Sequence, residues 1–149
     1  MTGEPAVGSA TLPTLPCACA SLRRAARAVS QLYEAQLRQT GLRATQFTLL
    51  QILAGRGELM QGELGVVLAI DSTTLSRTLR PLERSGWIRA RPGGDRRERH
   101  WAITAAGKRR LAEVRPAWEA AQRELRERVG GDRWSAMLAD LASIAAVAR

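Results

Sequence analysis

Apolar residues recur every three to four positions along most of this chain, with arginines and glutamines between them, a spacing that fits one-sided helices. From Ala18 onward the series Leu22, Ala26, Val29, Tyr33 and Leu37 predicts a long first helix that ends before Gly41. Thr45 is placed to cap a second helix with Phe47, Leu50 and Leu53 on its inner face, closed by Gly55 and Gly57. A short third helix, Gln61 to Leu68, would turn Leu64, Val67 and Leu68 inward. Asp71 then caps a fourth, Ser72 to Ser85, with Leu75, Leu79 and Leu82 inside, and Gly86 stops it. Pro81 lies within this helix and deletes one backbone bond.

Beyond Gly86 the period changes. Two strand-like runs, Trp87 to Arg91 and Arg99 to Thr104, flank Pro92-Gly93-Gly94-Asp95-Arg96-Arg97, which predicts a hairpin with a basic tip. Thr104 can cap a long fifth helix with Leu111, Val114, Trp118, Ala121 and Leu125 on one face, ended by Gly130-Gly131; Pro116 inside it predicts a kink or a local break. A last helix starts at Asp132 and carries Met137, Leu141 and Ile144. The expected class is mainly α with a small β-hairpin.

The first 16 residues hold Pro5, Pro13 and Pro16 among small residues, and residues 1–16 read as a flexible arm outside the core. At 149 residues one core is expected. No run approaches the roughly 18 apolar residues of a membrane span, and Met1 to Pro16 lacks a basic leader and a long apolar stretch, so a cytoplasmic protein without membrane contact is expected.

The formal charge of +9 favours a polyanionic partner, but its placement says more than its size. Arg77 to Arg110 holds eleven basic residues against Glu83, Asp95 and Glu98, a net of +8, leaving +1 for the rest of the chain. A uniform arginine bias would not concentrate charge in this way.

That charged stretch overlaps Gln61 to Gly86, which has the form of a helix-turn-helix. The polar face of its second helix offers Ser72, Thr73, Thr74 and Ser76 near the start, then Arg77, Arg80 and Arg84. Small hydroxyls and a helix N-terminus allow close approach to phosphates and base edges, and Arg can grip guanine through two parallel hydrogen bonds. In the hairpin, Arg91, Arg96, Arg97 and Arg99 crowd cations near the tip, where an Arg could enter a minor groove, with Asp95 as an orienting partner. Double-stranded DNA is the expected partner.

These residues resemble the MarR family of winged helix-turn-helix transcription regulators. The resemblance is carried by Asp71-Ser72-Thr73-Thr74-Leu75-Ser76-Arg77, by Leu82 to Arg91, by Asp95-Arg96-Arg97 at the wing tip, and by Ile103-Thr104-Ala105-Ala106-Gly107. It extends over about Cys17 to Arg149. It implies a domain over 17–149, with 44–104 as the winged helix-turn-helix and 17–40 and 105–149 as dimerisation helices. It further implies a homodimer that binds a pseudo-palindromic operator with recognition helices about 34 Å apart, acts by repression, and is released by an effector. The family's ligand region points to Tyr33, Phe47, Leu50 and Trp118, which core packing explains equally well.

Cys17 and Cys19 sit at the start of the first helix, where the helix N-terminus favours thiolate and Arg23 would act in the same direction. Peroxide-sensing MarR members carry a reactive Cys fourteen residues before a Tyr, and Cys19 and Tyr33 reproduce that spacing; two further tyrosines of those members are replaced by Arg23 and Ala44. Cys-x-Cys also suits a thiophilic metal such as Cu(I), Zn or an arsenic species, without a visible third ligand. Two small, inert residues at a helix start are the third reading. Oxidant, metal and no sensing all stay open.

Catalysis finds no support: the lone His100 lies among wing arginines, and neither a Ser/His/Asp, a Cys/His nor a Gly-rich phosphate arrangement is present. No cofactor is expected. A sequence-neutral architectural DNA binder is the main functional alternative.

Overall fold

The computed structural model describes residues 12–95 and 98–148. Among the described residues six helices and a three-stranded sheet follow one another as α1 (Ala18–Leu37), α2 (Ala44–Arg56), β1 (Leu59–Met60), α3 (Gln61–Leu68), α4 (Ser72–Arg84), β2 (Ile88–Pro92), β3 (Arg99–Ile103), α5 (Ala105–Val129) and α6 (Gly131–Val147). This is the mainly helical, winged arrangement expected. A 3-10 turn, Arg38–Thr40, closes α1 before Gly41.

The sheet is antiparallel in the order β1-β3-β2, with Ile88 opposite Ile103 and Ala90 opposite Trp101. Ile88 and Trp101 turn into the core while Arg89 and Arg91 point outward, the alternation a half-buried strand requires. The hairpin is therefore one strand short of the sheet: Leu59 and Met60 pair with Trp101 and His100 on its other side. Two residues are too few for alternation to register in a sequence.

Below the sheet the core gathers Leu37 of α1, Phe47, Leu49, Leu50 and Leu53 of α2, Leu64 of α3, and Leu75, Leu79 and Leu82 of α4. Leu111 and Val114 of α5 complete it. Burying such side chains contributes about 1.5–3 kcal/mol each.

Three local expectations are corrected. Arg43, not Thr45, occupies the cap position of α2, and carboxamide and carboxylate oxygens satisfy the first amides: Gln46 Oε1 accepts from the Arg43 N–H (3.0 Å) and Glu34 Oε1, from α1, accepts from the Ala44 N–H (3.1 Å). Val67 of α3 is exposed, because eight residues present only Leu64 fully to the core. The fifth helix does not break at Pro116, which is exposed on an unbroken α5. The long first helix is as expected, and of its apolar series only Leu37 is buried, while Leu22 and Ala26 are exposed.

The junction between α5 and the sheet is tight. Thr104 caps α5 by accepting from the Gly107 N–H (3.0 Å), donates its hydroxyl to the Gly86 carbonyl (2.6 Å), and its own N–H reaches the Trp87 carbonyl (3.0 Å). Gly107 faces that same carbonyl so closely that a Cβ there would lie 2.0 Å from Trp87 O. Arg110, one turn on, lays its guanidinium over the Trp87 ring at 5.4 Å and donates to the Thr40 carbonyl at the end of α1. The start of β2 is thereby fixed to two long helices.

Candidate nucleic-acid interface

Construction of the site begins at the turn between α3 and α4. Ala69 ends α3 in the left-handed region (φ 51°), and α4 begins three residues later at Ser72. Asp71 then caps α4: its Oδ1 accepts from the Thr74 N–H at 2.9 Å, and its Oδ2 accepts from the Thr74 hydroxyl at 2.6 Å. These hydrogen bonds, side chain first and backbone second, hold the Asp71 carboxyl below its ordinary range. With Leu75, Leu79 and Leu82 buried, α4 is locked by its apolar face and offers the rest to solvent. Pro81 does not interrupt it.

The outward residues of α4 do not form one surface. Ser72, Thr73, Ser76, Arg77 and Arg80 line a common groove of about 290 Å³. Thr74 turns instead toward Ala44, Thr45, Thr48 and Thr78 in a small apolar cleft against α2, its hydroxyl engaged by Asp71. Arg84 is exposed in the last turn. A larger hollow of about 510 Å³ continues the first groove across to the sheet, bringing Ser72, Ser76, Arg80 and Glu83 of α4 together with Arg99 and Trp101 of β3 and Gln61 of α3.

Among the wing residues, Arg99 thus joins the helix groove, while Arg91 is held elsewhere. Its guanidinium donates to Glu58 Oε1 at 2.7 Å, with His100 Nδ1 at 3.8 Å from the same oxygen. The Arg91 hydrogen bond is the main cause that lowers the Glu58 carboxyl below its ordinary range. At the tip the two arms come so close that a Cβ on Gly93 would lie 2.5 Å from Glu98 Cβ, and Glu98 N–H bonds the Asp95 carbonyl at 2.9 Å. Asp95 itself is exposed. Arg96 and Arg97 lie outside the described residues.

One residue of the site was not singled out from the sequence. Gln61, first in α3, accepts from the Trp101 indole N–H at 3.1 Å and donates to Ser76 Oγ at 3.0 Å, linking sheet to α4. A glutamine at a helix start carries no pattern that would betray this.

The remaining candidates lie apart from the grooves. Phe47 and Leu50 have no exposed surface, and Phe47 stacks on Trp118 at 5.4 Å. Tyr33 is half-buried and donates to Gln122 of α5, and its burial raises the phenol above its ordinary range. Cys17 and Cys19 are exposed free thiols at the start of α1, and Arg23 is exposed. Cys19 and Tyr33, fourteen residues apart on one helix, are separated by roughly 21 Å along its axis. Among the described residues no three His, Cys, Asp or Glu side chains are grouped to hold a metal ion, and no helix is long and apolar enough to cross a membrane.

Comparison with known proteins agrees with this geometry. A family model described as the MarR family matches residues 42–98, from just before α2 to the residue before β3. YwoH of Bacillus subtilis, described as an uncharacterized HTH-type transcriptional regulator, is 29% identical over 93 residues, 62% of this chain and 68% of that protein. Among solved structures, the transcriptional regulator MosR of M. tuberculosis in complex with DNA is 34% identical, with a TM-score of 0.79 over 89% of this chain and 96% of that one. The transcriptional repressor CouR, bound to a 23-mer DNA duplex, is 26% identical, with a TM-score of 0.77 over 87% of this chain and 92% of that one.

Proposed function

Because the chain belongs to the MarR family of transcription regulators, we propose that it is a sequence-specific repressor that binds a pseudo-palindromic operator as a homodimer. The observation that carries this reading is the groove in which Ser72, Thr73, Ser76, Arg77 and Arg80 of α4 share a surface, continued to Arg99 on β3. Hydroxyls and a capped helix start suit base edges and phosphates of the major groove, and the wing arginines, including Arg96 and Arg97, suit the adjacent minor groove. Similarity to regulators solved with DNA supports the same partner.

The dimer reading has its own support. α6 buries none of its residues within one chain, and Leu138, Leu141 and Ile144 are 47%, 44% and 42% exposed on it. Together with Leu22 of α1 they offer the apolar surface that a second copy would cover, with 17–40 and 105–149 as dimerisation helices and 44–104 as the DNA-binding part.

For the signal that releases DNA, exposure of both thiols at a helix start favours oxidation at Cys17 or Cys19 over a pocket ligand. A hydroperoxide would oxidise a thiolate to sulfenic acid and leave as the alcohol. Tyr33, roughly 21 Å along the helix, could meet Cys19 only across a dimer.

The test measures binding of the reduced protein to its own upstream DNA and to random DNA at fixed salt, before and after an organic hydroperoxide, beside a Cys17/Cys19→Ser variant. Discrimination of 10³-fold or more is expected of a specific regulator. Equal affinity for both DNAs would make it a sequence-neutral architectural binder. Loss of specific binding on oxidation, only with the cysteines present, is expected; indifference to oxidant would overturn the thiol switch.

A further inference from the structure

The side chains that join the sheet to α4 have a direction built into them. The Trp101 side chain is buried in the core, and its indole N–H can only donate. The atom it meets at 3.1 Å must therefore be the carbonyl oxygen of the Gln61 amide. That leaves the amide NH2 facing Ser76 Oγ at 3.0 Å, and an NH2 also can only donate. Ser76 is consequently the acceptor, and its own hydroxyl hydrogen must point elsewhere.

Within the helix that hydrogen has no use. Thr48 and Thr78 each return their hydroxyl to the carbonyl four residues earlier, at 3.0 Å, the common fate of a helical hydroxyl. Among the described residues Ser76 makes no such bond, although it is half-buried and lines both the groove of Arg77 and the hollow that reaches Arg99. Its hydrogen is available to whatever enters there.

We propose that Gln61 is a positioning residue whose amide, oriented by Trp101, fixes Ser76 as a one-way hydrogen-bond donor toward an acceptor on a base edge of bound DNA. Such an acceptor is the N7 or O6 of guanine, the N7 of adenine or the O4 of thymine; the amino group of cytosine, which donates, is disfavoured. The inference rests on the reading of α4 as the DNA-facing helix and adds to it which base chemistry one residue accepts, and why.

Replacement of Gln61 by Glu tests it. A carboxylate accepts at both ends, so it still satisfies Trp101 but draws the Ser76 hydrogen inward. Base preference, measured by competition among operators varied one position at a time, should fall on the order of tenfold at one position per half-site in Gln61→Glu. The same position should lose preference in Ser76→Ala, and Gln61→Glu should add nothing further there in the Ser76→Ala background. The new charge will also weaken binding to all sequences together, which leaves relative preference unaffected. Gln61→Met, of similar length and without a hydrogen-bonding head, should lose the same preference without the charge effect. The Trp101 indole N–H resonance, assigned with Trp101→Phe, should persist in the Glu variant and report that the fold is kept. A specific wild type whose base preferences survive both Gln61 variants would overturn the role of Gln61. So would a Gln61→Glu effect on preference that persists undiminished without Ser76. Absence of any specificity in the wild type would instead overturn the function proposed above.

Discussion

Single residues here divide between those that hold the scaffold and those left free to act. Arg77 belongs to the second group: exposed, in the α4 groove beside Ser76. Its removal by Arg77→Ala should cost about 1–3 kcal/mol of operator binding and relax preference at one position, checked by titration against operator variants; uniform weakening on every sequence would assign it to a phosphate instead. Gly107 belongs to the first. Since a Cβ would press on the Trp87 carbonyl, a rigid backbone atom, Gly107→Ala should destabilise by about 1–3 kcal/mol or more, read from denaturant unfolding, and should disturb the wing that Trp87 begins. Both residues were visible in the sequence, Arg77 through the polar face of a predicted helix and Gly107 through a family motif. Gln61 was not, because its role depends on Trp101, forty positions away and on another element.

At the scale of elements, caps and apolar periods were the legible part. Asp71 and Thr104 cap α4 and α5 as their sequence positions indicate, and the Leu75, Leu79 and Leu82 stripe is buried. What escaped was satisfied from a distance or was too short to have a period: Glu34 reaches from α1 to the first turn of α2, and β1 is two residues long. The Asp71 cap carries a pH dependence. Its carboxyl is lowered in the folded protein, so its stabilisation is complete above the unfolded aspartate range and is lost as pH falls through the folded value. Acid should therefore loosen α4 only below the ordinary aspartate range. Asp71→Asn, which can still cap through its carbonyl oxygen, should flatten this limb of the stability curve below about pH 4, whereas Asp71→Ala should lower the melting temperature at neutral pH as well. Thermal melts across pH 2–7 distinguish the three proteins.

For the whole molecule, the division of labour follows from which surfaces the chain leaves uncovered. β2, β3 and α4 turn their large apolar residues into a core shared with α1, α2 and α5, whereas α6 rests against α5 and leaves Leu138, Leu141 and Ile144 half in water. Leu22 and Leu37 belong to one apolar series in the sequence, and only the packing of the fold separates the buried Leu37 from the exposed Leu22. Placing a charge on this surface, by Leu141→Glu with Ile144→Glu, should convert the proposed dimer to monomers in analytical ultracentrifugation and lower operator affinity by more than tenfold, because two half-sites would no longer be engaged together. Retention of the dimer would move the interface elsewhere.

The three-stranded sheet has a consequence for behaviour in concentrated solution. Its two outer strands are poor templates for adhesion: β1 ends after two residues with the Met60 N–H occupied by Glu63 at 2.7 Å, and β2 carries Arg89 and Arg91 outward and finishes on Pro92. Neither margin invites a strand from another molecule. Wing-to-wing aggregation is thereby discouraged by the same cations that suit the wing to a polyanion.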